Sequence, residues 1–258
     1  MFAPYELDNL IFYFGLPFAR ISAMLMVMPM LGAQFVPKRL KLFLSLAISL
    51  IVFPLLYDNA PIAQNALTFF QLIYLLLEQI MIGVMIGLSV HVIFQAFVMA
   101  AGICAMQMGL GFASMIDPQN GVSVPALSQF YLMIVTLLFL SMNGHLFLIQ
   151  TIVESFDKMP VSLASSKFIN FNEMISLGSW IFLGGLKIAL PTITALLIVN
   201  MAIGIMTKAT PQLNIFSLGF PVTMILGMVI LWFTSVTLLP QFTEMFNQLI
   251  EKINQWMV

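Results

Sequence analysis

Four ionisable side chains fall inside long hydrocarbon stretches of the sequence: Arg20, Glu78, His91 and Lys187. On insertion scales such a charge costs about 2.5–3.5 kcal/mol at the centre of a bilayer, so each demands a role. Two roles are open. The residues can line a hydrophilic path or relay protons, or they can form intramembrane pairs that set helix register. Arg20 and Glu78 are a candidate pair. Glu78 and His91 are not: Gly83, Gly87, His91 and Gln95 recur every four residues as one small-and-polar stripe, and Gln71 and Glu78 lie on another face. A stripe of small residues lets two helix backbones approach closely.

Other chemistry has no carrier in the sequence. There is no His-Glu-x-x-His, no Gly-x-Ser-x-Gly and no phosphate-binding loop. His91 and His145 are the only histidines and Cys104 the only cysteine, so neither a metal-ligand set nor an internal disulfide is expected. His145 sits in Ser141-Met142-Asn143-Gly144-His145, a local break, and reads as a hydrogen-bonded structural residue. Neither an enzyme nor a cofactor is expected. A net charge of −1 gives no footprint for nucleic acid.

The elements that must position these residues are apolar. Of 258 residues, 61% are hydrophobic and 7% charged, with a mean hydropathy of +1.07. A soluble domain carries about a quarter charged residues, so the composition points to a polytopic membrane protein. Six apolar regions are expected to be helical: Leu10 to Leu31, Leu40 to Tyr57, Thr68 to Ala105, Phe130 to Val153, Ile175 to Met206 and Ile215 to Leu239. The third and fifth exceed the roughly 20 residues of a simple span, so they tilt and protrude or break inside, with Pro191 favouring a kink. Gly184 and Gly185 mark a close helix approach. With Glu6 and Asp8 ahead of it and no basic segment, the first region is expected to be retained, not cleaved. The cluster Pro37-Lys38-Arg39-Leu40-Lys41 is expected on the cytoplasmic side, which puts the Asp58 loop outside and Thr207-Lys208 inside if the spans alternate; Lys158 and Lys167 run against that count. The fifth and sixth regions form an antiparallel hairpin across a short connector. The tail after Pro240 repeats Phe242, Phe246, Leu249, Ile250, Ile253 and Trp256 at helical spacing and is expected to lie at an interface or dock a partner.

The longest interruption runs from Met106 to Phe130. Gly109, Gly111 and Gly121 loosen the backbone, Pro118 and Pro125 remove donors, and Asp117-Pro118-Gln119-Asn120-Gly121 has turn chemistry. Yet Met106, Met108, Leu110, Phe112, Met115 and Ile116 are too apolar for a solvated loop. Irregular backbone at membrane depth must be buried in protein or line a cavity. The segment is therefore either a closure element in a pore or a re-entrant connector that packs.

Two stretches resemble a known family. The first is Met108-Gly109-Leu110-Gly111-Phe112-Ala113 with Asp117-Pro118, Pro125, Leu138-Phe139-Leu140 and Asn143-Gly144-His145. The second is Ala209-Thr210-Pro211-Gln212-Leu213-Asn214-Ile215-Phe216 with Gly219-Phe220-Pro221. Together with Arg20, the Pro37-to-Arg39 turn and Glu78, they resemble the FliR/SctT family, the inner-membrane export-gate proteins of type III secretion, on its flagellar branch. The resemblance implies an all-α polytopic fold of kinked helical hairpins. Residues 1–170 would form a FliP-like part and 171–258 a FliQ-like hairpin with its tail. It implies FliP-like and FliQ-like subunits as partners, an FlhB-like protein at the cytoplasmic mouth, secreted flagellar proteins as cargo, and membrane lipid around the assembly in the bacterial inner membrane at the flagellar basal body. It also implies that Met106, Met108, Gly109, Leu110, Gly111, Phe112, Met115, Ile116 and Asp117 belong to a pore plug. Lys208, Pro211, Gln212, Asn214 and Phe216 would belong to a connector that contacts a partner. A small-solute transporter is the alternative class, for which no paired broken helix is evident in the other half. A purely structural assembly subunit is a third.

Overall fold

A computed structural model of the chain describes residues 14–33, 36–59, 68–112, 114–116, 123–161, 171–209 and 219–256, apart from the side chains of 55–59, 112, 114–116, 171, 173 and 174. Among these residues the chain is helical except for one short ribbon. In order come α1 (Leu16–Val27), α2 (Lys38–Asn59), α3 (Phe69–Gln107), a 3-10 turn at Leu110–Phe112, β1 (Ser114–Ile116), β2 (Ser123–Pro125), α4 (Ala126–Ser141), α5 (Gly144–Lys158), α6 (Phe171–Ala209), α7 (Phe220–Ser235) and α8 (Leu238–Trp256). It is an all-α polytopic membrane protein.

Within the described residues each apolar region carries helix, and the fourth and sixth each divide between two helices. The two overlong ones run unbroken. α3 and α6 each have 39 residues, and α6 carries Pro191 inside it without ending there. At 1.5 Å per residue each is nearly 60 Å long (about twice the hydrocarbon core). By length and composition, α3 and the Ile175–Ala209 part of α6 can each cross a membrane, and up to four spans result if each bent pair of helices counts as one. The break expected after Ser141 is present: Asn143 adopts φ 56°, a left-handed conformation open to Asn, before Gly144 starts α5. Prolines open α1 (Pro17) and α7 (Pro221), where a missing N–H costs nothing.

The chain divides into two compact units. The first comprises Met1–His91, Met142–Leu177 and Leu249–Val258. In it α1 packs on α2 and on α3. The small residues expected to permit close approach do so. A Cβ on Gly83 would strike the Arg20 carbonyl oxygen, and one on Gly87 would stand 2.9 Å from the Met24 carbonyl oxygen. Lys41 donates to the carbonyls of Gly32 (2.8 Å) and Ala33 (3.0 Å) and so closes the turn between α1 and α2.

The second unit comprises Val92–Ser141 and Gly178–Gln248. Its centre is aromatic: Phe94 meets Phe139 at 5.5 Å, Phe97 meets Phe242 at 6.0 Å, and Phe139 meets Phe246 at 6.1 Å. Ser128 at the start of α4 donates to the Val98 carbonyl at 3.0 Å. Gly184 and Gly185 bring α6 against Ala96 and Met99 of α3 and Met245 of α8. α7 and α8 are bent by 55°.

The expectation for the tail is corrected here. Phe242, Phe246, Leu249 and Ile253 are buried within the protein, so the apolar face of α8 covers the chain's own interior instead of an interface or a docked partner. Lys158 donating to Asn254 (3.0 Å) and Lys252 donating to Ser176 (2.6 Å) hold its last turns in place.

Candidate functional site

The base of the long interruption is a built feature. α3 ends at Gln107, and the chain turns through Met108 N–H to Cys104 O (3.0 Å) and Gly109 N–H to Met106 O (3.1 Å). Gly109 takes φ +75°, the left-handed conformation that ends many helices. Met108 is fully buried. Its thioether lies against the backbone of α7 at Gly227, where a Cβ would stand 2.5 Å from Met108 Cγ and 2.8 Å from Cε. Gly109 faces the ring of Phe220, whose Cε2 would be 2.5 Å from a Cβ at that position. Two glycines thus provide the space in which a methionine and a phenylalanine seat the start of the loop on the first turns of α7.

Beyond Gly109 the chain is not the irregular loop that its glycines and prolines suggest. After the 3-10 turn, β1 pairs antiparallel with β2 in the register Ser114 with Pro125, Met115 with Val124 and Ile116 with Ser123. Met106 and Gly111 are exposed and Leu110 is half-buried. The side chains of Phe112, Met115 and Ile116, and the whole of Asp117, lie outside the described residues.

Arg20 is completely buried and makes a second constellation. Its Nε donates to Gln79 Oε1 (2.7 Å), Nη1 donates to Ser155 O (2.9 Å) and to Ser155 Oγ (3.0 Å), and Nη2 donates to Met159 O (2.9 Å). The guanidinium carbon stands 4.2 Å over the Phe156 ring. The candidate partner Glu78 is half-buried and interacts with Arg20 through its charge, while the neutral neighbour Gln79 accepts the hydrogen bond. The C-terminal end of α5 faces the guanidinium with the negative end of its helix dipole: Ser155 O, which also accepts from Met159 N–H, and Met159 O just beyond the helix. An aromatic face adds a cation–π term.

The other expected polar residues are dispersed. His91 is half-buried in α3. Lys187 is 63% exposed and pairs with Glu244 of α8 at 2.8 Å, a partner hidden from the sequence reading because it lies in the tail. Lys208 is exposed in the last turn of α6, while Pro211, Gln212, Asn214 and Phe216 lie outside the described residues. Phe220 and Gly227 were not foreseen as partners of the loop, since no local spacing links them to Met108.

α6 and α7 also carry wide uncovered apolar faces. Leu183, Ile198, Met201 and Ile205 on α6 and Ile225, Met228, Trp232 and Phe233 on α7 are exposed, and no atom comes within 4 Å of a Cβ placed on Gly178 or Gly204. Apolar surface of this extent calls for lipid or for other subunits.

The comparisons with known proteins agree with one another. The family described as bacterial export proteins, family 1, matches residues 11–249. The flagellar biosynthetic protein FliR of Escherichia coli (strain K12) is 37% identical over 255 residues, covering 96% of this chain and 94% of its own length. FliR of Pectobacterium carotovorum subsp. carotovorum is 35% identical over 244 residues (94% and 91%), and FliR of Aquifex aeolicus (strain VF5) is 30% identical over 216 residues (84% and 82%).

Proposed function

The chain belongs to the bacterial export proteins, family 1, and from that premise we propose that it is a subunit of the flagellar type III protein export gate. It forms the export pore with FliP-like and FliQ-like subunits, with an FlhB-like protein at the cytoplasmic mouth. Residues 1–170 act as the FliP-like part and 171–258 as the FliQ-like hairpin. Flagellar proteins are the cargo, and the site is the inner membrane at the flagellar basal body. The loop from Met106 to Asp117 plugs the closed pore. The connector from Lys208 to Phe216 meets a partner.

The observation that carries this reading is full-length kinship with flagellar relatives, joined to a loop whose base is seated on α7. A gate must stop ions and still pass unfolded chains with varied side chains. A movable apolar loop with methionines can exclude water when closed and re-pack when open. The bare faces of α6 and α7 suit burial against further helices.

Purification tests the assembly claim. The chain should emerge from mild detergent in a large hetero-oligomer with FliP-like and FliQ-like subunits. A lone monomer or dimer competent in solute uptake would contradict the proposal and favour a small-solute transporter.

A further inference from the structure

We infer that Phe220 and Gly227 of α7 are positioning residues for the plug, holding Met108 as a fixed pivot from which the loop swings at Gly109. The inference rests on the plug reading above. Three observations converge on it. Met108 is fully buried although Met106 and Gln107 just before it are exposed, so it is the residue that seats the end of α3 where the loop begins. Its thioether occupies a notch on α7 that exists only because residue 227 lacks a side chain, with Cγ, Cε and Sδ all within 2.9 Å of where a Cβ would stand. The next residue, Gly109, takes φ +75°, and its open side is filled by the half-exposed ring of Phe220.

The arrangement divides the segment physically. Up to Gln107 the chain is helix, and Met108 seats its end in the protein. From Gly109 it passes into a short turn and a narrow ribbon. Glycine is the residue whose backbone can change without side-chain cost, so a swing of the loop is concentrated there. Phe220 is the stop on one side of that swing. The inference links the plug to the helix that follows the Pro211-to-Phe216 connector, so a push on that connector has a direct route to the loop.

The test uses the full complex in cells, with ion leak as the readout and deletion of Leu110 to Met115 as reference. Gly227→Val should expel Met108 and raise leak toward that of the deletion. Adding Met108→Ala to Gly227→Val should return it to the wild-type level, because the shorter side chain clears the valine. If the deletion leaks while Gly227→Val stays tight, or if the double variant leaks as much as the single, the pivot is wrong and the plug stands. If the deletion itself is tight, the plug reading falls and the pivot with it. A cysteine pair at 108 and 227, with Cys104→Ala, covers the case in which valine blocks assembly. Oxidation should cross-link it with the membrane tight and export retained. No cross-link in the assembled complex, or loss of export on oxidation, overturns the pivot.

Discussion

Arg20 donates through Nη2 to the carbonyl oxygen of Met159 at 2.9 Å, one residue past the end of α5. A buried cation here is balanced by a helix terminus, a glutamine, a serine and an aromatic face, with no carboxylate in direct contact. It binds α1, α3 and α5 at one point.

Removing that cation should therefore be costly. Arg20→Met removes four charge-assisted hydrogen bonds, to Gln79, to Ser155 twice and to Met159, and should destabilise the chain by about 3 kcal/mol or more, since charged hydrogen bonds contribute about 1.5–3 kcal/mol each. Arg20→Lys should recover only part, because an ammonium cannot span the fork. Glu78→Gln removes a through-space charge only and should cost less than Gln79→Leu, which removes a direct acceptor. Thermal unfolding in detergent measures all four, and a larger loss at Glu78 than at Gln79 would restore the carboxylate pairing.

Gly83 and Gly178 should respond in opposite ways to the same change. Gly83→Ala drives a methyl into the Arg20 carbonyl and should cost about 1–3 kcal/mol, as overpacking does. Gly178→Ala meets nothing and replaces glycine inside a helix, so the isolated chain should be unchanged or more stable by up to about 1 kcal/mol. Unfolding midpoints of the two variants, compared side by side, check this.

The Lys187–Glu244 pair should matter little to stability. It is exposed on both sides, and exposed pairs contribute about 0–1 kcal/mol. Lys187→Ala should shift the unfolding midpoint slightly, and the Arg20 variants should shift it far more. A loss at Lys187 comparable to that at Arg20 would show that the ion pair is shielded.

The parts of this account readable from the sequence are those with a period or a steric signature. Apolar runs marked the helices, the Gly83 and Gly87 stripe marked a close helix approach though not α1 as its partner, and Asn143-Gly144 marked the break between α4 and α5. Four features were hidden for physical reasons. Two of the four hydrogen bonds of Arg20 go to backbone carbonyls, which have no residue type to search for. The ribbon has three-residue strands, too short for alternation to stand out, so glycine and proline dominated the reading. The pattern of α8 says that one face is buried but not against what, and the buried aromatics Phe97 and Phe139 claim it. The seat of Met108 on Gly227 joins residues far apart in the chain and emerges only from packing.

The central claim is that the loop after Gly109 holds the pore shut. Deleting Leu110 to Met115 and measuring small-ion or dye entry, with assembly verified in the same cells, tests it most directly. The deleted protein should assemble and make the membrane permeable where the wild type keeps it tight. An assembled complex with a tight membrane would contradict the claim and leave the loop as a connector that packs.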